Sequence, residues 1–196
     1  VHYQALLKQA ELGEISEDEV RKVAEELASS APGTDRFTLL QILGEAQAKS
    51  FRALIERYLE SPDDPMLARL ALEILCLYWG EPRRYLAELR RFVGGVAWDK
   101  QSDVRQVAIL LSGNYLRSNS DPVLLRAILD ILEDPAESTV IRGDAYLALG
   151  RAMGRDWNSL PSATTAFDPA TQLDGRLLEE AKARLEDEEK GGLTRQ

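Results

Sequence analysis

The sequence predicts an all-α protein organised as a helical repeat. Three observations lead there. No stretch shows the period-two alternation of a half-buried strand, whereas apolar residues recur at helical spacing through most of the chain. One stretch, residues 64–79, carries a helix start and a helix stop and is apolar on nearly every side between them. That stretch has three echoes at spacings in the thirties, the mark of a repeated helical unit.

Within residues 64–79, Asp64 is placed to accept from the free amides of a helix start. Pro65 suits the first helical position because its missing N–H is not needed there. Gly80 supplies the stop, with Pro82 just beyond it. Only Arg69 and Glu73 are charged between those signals, and their spacing of four lets them pair. At roughly 21 Å such a helix is too short to cross a membrane. Aligned on Arg69, the echoes centre on Arg36, Arg105 and Arg142, so the four arginines lie 33, 36 and 37 residues apart. Gly44, Gly113 and Gly150 each stand eight residues after their arginine, and Leu77 takes that place in the remaining copy. Gly inside a helix costs about 1 kcal/mol relative to Ala, so three in register predict close helix–helix approach.

The other elements follow in order. Residues 3–12 form a modest amphipathic helix with Ala5, Leu6 and Ala10. Ser16 followed three residues later by Glu19 has the capping-box form, and the helix it opens puts Val20, Val23, Ala24 and Leu27 on one face. Seven acids against two bases make residues 11–30 the most negative part of the front half. The first echo spans residues 35–48, and a further helix over 49–60 aligns Phe51, Leu54, Ile55, Tyr58 and Leu59.

After the central helix, residues 83–93 point Leu86, Leu89 and Val93 inward; Arg83, Arg84, Arg90 and Arg91 make a small basic island on a solvated face. Residues 94–100 are a longer loop with Trp98 in it. The next echo covers 103–117. Asp121-Pro122 then repeats the start signal of Asp64-Pro65, for a helix burying Leu125, Ile128, Leu129 and Leu132. Ser138 opens the last echo, through residue 153. From 154 to 171 the pattern dissolves, and Trp157 and Phe167 are placed to pin this stretch over the open end of the last repeat. A final helix aligns Leu177, Leu178, Ala181 and Leu185 ahead of a solvated tail.

The unit is thus an outer helix, a short turn with Asp and Pro, and an inner helix with Val/Ile-Arg and a small residue three positions on. Val104-Arg105 with Ala108 and Ile141-Arg142 with Ala145 match best. This resembles HEAT repeats of the armadillo-like class over roughly residues 17–153. The resemblance implies a right-handed α-α superhelix of stacked antiparallel helix pairs, forming a single domain over 1–196 with 154–196 as cap and tail. It also implies that Arg36, Arg69, Arg105 and Arg142 are structural, each bonding an acid in or near the adjoining turn. Asp64, Asp99, Asp103 and Glu137 are the candidates.

No catalytic or metal-binding motif is present. The one histidine, His2, is at the start of the chain, and a serine or cysteine nucleophile would lack a histidine base. There is no Cys-x-x-Cys, His-Glu-x-x-His, EF-hand or phosphate-cradling loop, so neither a cofactor nor a metal is expected and the chain reads as a non-enzyme. One cysteine permits no internal disulfide; Cys76, in the most apolar helix, reads as a small hydrophobe. With no transmembrane run, this points to a cytoplasmic protein that does not engage membranes.

The net charge of −9 disfavours nucleic acid and favours a basic partner. HEAT-like architecture implies binding another protein on the concave face of the inner helices, as an adaptor or as an immunity protein against a toxin with a cationic cleft. The expected contacts are Glu45, Glu73, Asn114, Asp144, Tyr146 and Arg151 on the inner helices, with Trp98 and Asp99 in the long loop. The alternative is a HEAT-like DNA glycosylase or other nucleic-acid enzyme, for which Trp98-Asp99 and Tyr78-Trp79 are the aromatic and acidic elements to weigh.

Overall fold

The computed structural model describes residues 3–29, 31, 33–156, 160 and 167–193. Eleven α-helices, joined by short 3-10 and π segments, account for all regular structure among the described residues, which contain no strand. The all-helical expectation holds. The chain divides into two compact units, residues 1–85 with 97–104, and residues 86–96 with 105–196.

The first unit contains α1 (Tyr3–Leu12), α2 (Glu17–Ser29), α3 (Arg36–Glu45), α4 (Arg52–Glu56) and α5 (Pro65–Glu73). Helices α1 and α2 both pack on α3, and α3 packs on α5. The capping box forms as expected: the Ser16 amide donates to Glu19 Oε2 at 2.9 Å, and the Glu19 amide donates to Ser16 Oγ at 3.3 Å. At the start of α3, Asp35 accepts from the Thr38 amide at 3.1 Å and from its hydroxyl at 2.7 Å. Leu39, Leu40, Leu43, Leu72, Ile74 and Leu75 are fully buried and make the centre of this core.

Two helices differ from expectation. Residues 49–60 are a 3-10 turn (Lys49–Phe51), α4, and a second 3-10 turn (Arg57–Leu59), because amides such as that of Phe51 bond three residues back, to Ala48. The central helix begins at Pro65 as expected, but Asp64 does not cap it with its side chain. The Leu67 amide donates instead to the Asp64 backbone carbonyl at 3.1 Å. After Glu73 the helix widens into a π turn over Ile74–Tyr78, where the Trp79 amide reaches back five residues to Ile74 at 2.8 Å. Gly80, with φ of +67°, then ends it where the sequence placed the stop.

The second unit contains α6 (Leu86–Val93), most of α7 (Asp103–Leu116), α8 (Pro122–Glu133), α9 (Thr139–Ala152), α10 (Pro169–Gln172) and α11 (Gly175–Leu193). Helix α8 packs on α6, α9 and α11. Asp121 is 3% exposed and serves twice: it accepts from the Leu124 amide at 3.1 Å, starting α8, and from Arg90 Nη2 at 2.7 Å. Ser138 caps α9 through the Ile141 amide at 3.2 Å.

The glycine register is a contact register. A Cβ on Gly44 would stand 2.6 Å from Ile74 Cγ1, and one on Gly113 would stand 2.5 Å from the Ala148 backbone. One on Gly150 would collide with Leu160 Cδ2. Each glycine is therefore where a neighbouring segment comes closest.

The arginines are tied to both backbone and carboxylates. Arg105 Nε donates to the Val93 carbonyl at the end of α6, and Arg142 Nε to the Leu132 carbonyl near the end of α8, both at 3.0 Å. Of the four acids proposed for the series, Glu137 meets Arg105 at 2.8 Å. Arg69 pairs with Glu73 at 3.4 Å, the spacing-of-four pair. Arg36 is the half-buried first residue of α3.

The end of the chain closes over the second unit. Phe167 is buried and stacks on Tyr146, with ring centroids 5.1 Å apart; Trp157 lies outside the described residues. Arg184 on α11 donates to the carbonyls of Leu116 (2.9 Å), Asn119 (2.8 Å) and Ala152 (2.8 Å). One guanidinium thus satisfies carbonyls at the C-terminal ends of α7 and α9, where a helix leaves acceptors without internal partners.

Candidate functional site

The four arginines also index, within each unit, a pair of side chains at matching positions. Nine residues after Arg36, Arg69, Arg105 and Arg142 stand Glu45, Tyr78, Asn114 and Arg151. In the second unit, Arg151 Nε donates to Asn114 Oδ1 at 3.2 Å, so row members of α7 and α9 touch. In the first unit, a Cβ on Gly44, the neighbour of Glu45, would sit 3.3 Å from Tyr78 Cδ2. Close approach at the glycines brings the next residue of each helix alongside its counterpart.

The first unit's part of the row is acidic and aromatic. The Tyr78 phenol is pushed above its ordinary value, first by burial, then by the carboxylates of Glu45 and Glu73. Glu73 is half-buried and holds Arg69, and Glu45 is half-buried at the last turn of α3. Leu77, its neighbour in sequence, is 53% exposed.

The turn beneath is well tied. Trp79 is 4% exposed and its indole N–H donates to the Gly44 carbonyl at 3.2 Å. The Gln47 side-chain Nε2 donates to the Tyr78 carbonyl at 2.9 Å and Lys49 Nζ to the Trp79 carbonyl at 3.0 Å. Arg52 grips Glu81 through contacts of 2.6 and 2.7 Å.

Two expected contact residues are corrected. Tyr146 was expected to face a partner, yet it is 5% exposed, stacked on Phe167, and its hydroxyl accepts from the Asp174 amide at 3.2 Å. Packing against Phe167 has taken that ring inward. Asp99 is 7% exposed; its two carboxylate oxygens accept from the amides of Asp103 (2.9 Å) and Val104 (3.0 Å), anchoring the start of α7. Trp98 and Asp144 are half-buried, and Asn114 is exposed.

The pairs weighed for nucleic-acid chemistry are engaged by the fold, since Asp99 holds a helix start and Trp79 is buried against Gly44. Among the described residues, no three His, Cys, Asp or Glu side chains gather in a metal-binding arrangement, and no helix is long and apolar enough to cross a membrane. Cys76 is buried in the π turn. In the sequence Tyr78 stands as an element of the alternative DNA groove and Leu77 as the exception to the glycine rule. Counting one position past the glycines would have put Tyr78 in the row.

Comparison with protein-family models, curated proteins and solved structures found no match to this chain.

Proposed function

We propose that the chain is a HEAT-like α-α solenoid acting as a non-catalytic binding module for a basic protein, through the exposed face of its inner helices. The observation that carries the reading is the row at nine residues past each repeat arginine. On α7 and α9, Asn114 and Arg151 in the same register touch, and in the first unit the Tyr78 ring comes up against Gly44 next to Glu45, as neighbouring side chains do where successive repeats stack. A surface of this kind is preformed, so binding orders little. Its acidic stretch at Glu45, Glu73 and Tyr78, on a chain of net charge −9, suits a cationic partner. An antidote to a toxin with a basic cleft fits that chemistry, as does an adaptor for another basic protein.

The test has two arms. Labelled duplex and single-stranded DNA at about 50 mM salt should give no gel shift, because a surface poor in cations releases few counterions from phosphate. Affinity capture on the full chain from its source cell at the same salt should retain a basic protein that elutes as salt rises. Tight DNA binding, or base release from alkylated DNA, would overturn the reading in favour of a nucleic-acid enzyme.

A further inference from the structure

We infer that the seat of Arg184 is a guanidinium-binding site which α11 fills from within the chain, and that an arginine of the basic partner takes the seat when α11 lifts. The outside occupant rests on the protein-binding reading above; the seat itself does not.

The seat is made by the ends of α7 and α9 together with α11. Arg184 Nη1 donates to the Ala152 carbonyl at 2.8 Å, and Nη2 to the carbonyls of Leu116 (2.9 Å) and Asn119 (2.8 Å). Its Nε donates to Glu188 Oε1 at 2.7 Å. Four of the five N–H donors of a guanidinium are thereby engaged. Leu116 and Ala152 are the last residues of α7 and α9. Carbonyls there have no partner inside the helix, and the helix dipole adds partial negative charge. Acceptors that converge from separate stretches of chain in this way suit a flat fork of donors, not a point charge.

The internal occupant is lightly held. Helix α11 is 19 residues long, yet its buried apolar side chains among the described residues are Leu177, Ala181 and Leu185, whereas the 12-residue α8 buries six. Its ion pairs with the rest of the unit are Lys182 with Glu133, Arg155 with Glu180 and Arg126 with Glu189, every partner at least 39% exposed. Pairs so exposed contribute little and are screened by salt. Glu188 Oε2 is buried with no hydrogen-bond partner among the described residues, so docking α11 leaves one carboxylate oxygen desolvated and uncompensated. An element held this way opens locally ahead of the core. Once α11 lifts, the three carbonyls lose their cation. An ammonium cannot meet all three, and an arginine from a basic partner can.

The test of the seat is chemical rescue on the full chain, with methylguanidinium chloride as the probe and methylammonium chloride at the same millimolar concentration as the control. In Arg184→Ala, methylguanidinium should slow amide exchange over residues 175–191 about tenfold, and methylammonium should not. If circular dichroism finds Arg184→Ala unfolded, methylguanidinium alone should restore the helical signal. Rescue by both cations, or by neither, overturns the inference. This arm involves no partner, so the protein-binding reading stands or falls separately, on the capture experiment. The outside arginine is tested by fluorescence polarisation with a labelled peptide of residues 174–193, the helix that fits the seat. It should bind Arg184→Ala about tenfold more tightly than the parent chain, whose seat is filled, and the peptide carrying Arg184→Lys should lose that preference. A peptide that binds neither chain, binds both alike, or keeps its preference with lysine overturns the exchange.

Discussion

Arg105 and Glu137 meet at 2.8 Å, each less than a quarter exposed, while the same guanidinium donates to the Val93 carbonyl at 3.0 Å. One side chain thereby joins the end of α6 to the turn before α9. Replacing it strands a half-buried carboxylate and a helix-terminal carbonyl together. Arg105→Ala should therefore destabilise the protein by about 2–4 kcal/mol. Arg21→Ala removes only an exposed pair with Asp18 and should fall within about 0.5 kcal/mol. Urea midpoints for the two variants check this; equal midpoints would mean that the Arg105 contacts contribute nothing.

The glycine contacts predict an ordering. Ala at position 113 would meet the Cα and carbonyl oxygen of Ala148 at 2.5 Å, and backbone cannot step aside cheaply. Ala at position 44 would meet the Ile74 side chain, which has rotamers to move through. Helix propensity favours both changes by about 1 kcal/mol. Gly113→Ala should nonetheless destabilise by about 2 kcal/mol or more, with Gly44→Ala clearly milder. Thermal melts in the reverse order would show that α7 and α9 can separate without loss.

Arg184 should behave as the anchor of α11. Its three carbonyl acceptors lie on the last turn of α7, the turn after it and the last turn of α9, and Glu188 orients it at 2.7 Å. A lysine has a single charged nitrogen and cannot span that set. Both Arg184→Ala and Arg184→Lys should free the last helix, and amide exchange over residues 175–191 should quicken well before the core opens. Full protection in the lysine variant would place the anchorage in Leu177, Ala181 and Leu185 instead.

Alkaline pH should weaken the fold through its tyrosines. The Tyr85 phenol is raised well above 10.0, mainly by burial and then by its 2.8 Å bond to Glu56, and Tyr78 is raised by burial and its two carboxylates. A phenol that keeps its proton longer when folded contributes stability that is fully present below the unfolded value. That stability is lost as pH rises from there through the folded value. Stability should thus fall from about pH 10 upward, and Tyr85→Phe should flatten the fall. A variant with an unchanged alkaline profile would remove Tyr85 as its source.

Much of this was legible in one dimension. Ser16 with Glu19, Ser138, Gly80 and the Asp121-Pro122 start act locally, through bonds spanning a few residues, and the Gly register shows because only Gly leaves the space that a distant segment fills. Composition and spacing are enough to locate them. The chemistry of the arginines was legible in part: the expected acid Glu137 does meet Arg105, while the carbonyls of Val93 and Leu132 were added as acceptors that the sequence did not point to. A backbone carbonyl is the same at every residue and leaves no trace in the sequence.

Tertiary packing decided the rest. Tyr146 has the composition of a contact residue, but Phe167 arrives from a distant part of the chain and buries it. Asp99 and Asp64 look alike as helix-start acids, yet Asp99 bonds the amides of Asp103 and Val104 through its side chain, whereas Asp64 leaves the Leu67 amide to its own backbone. The outward turn of Leu77 depends on a π turn seated against Gly44. Each outcome follows from which surfaces meet, and the free energy of a meeting belongs to both partners, so neither stretch of sequence specifies it alone.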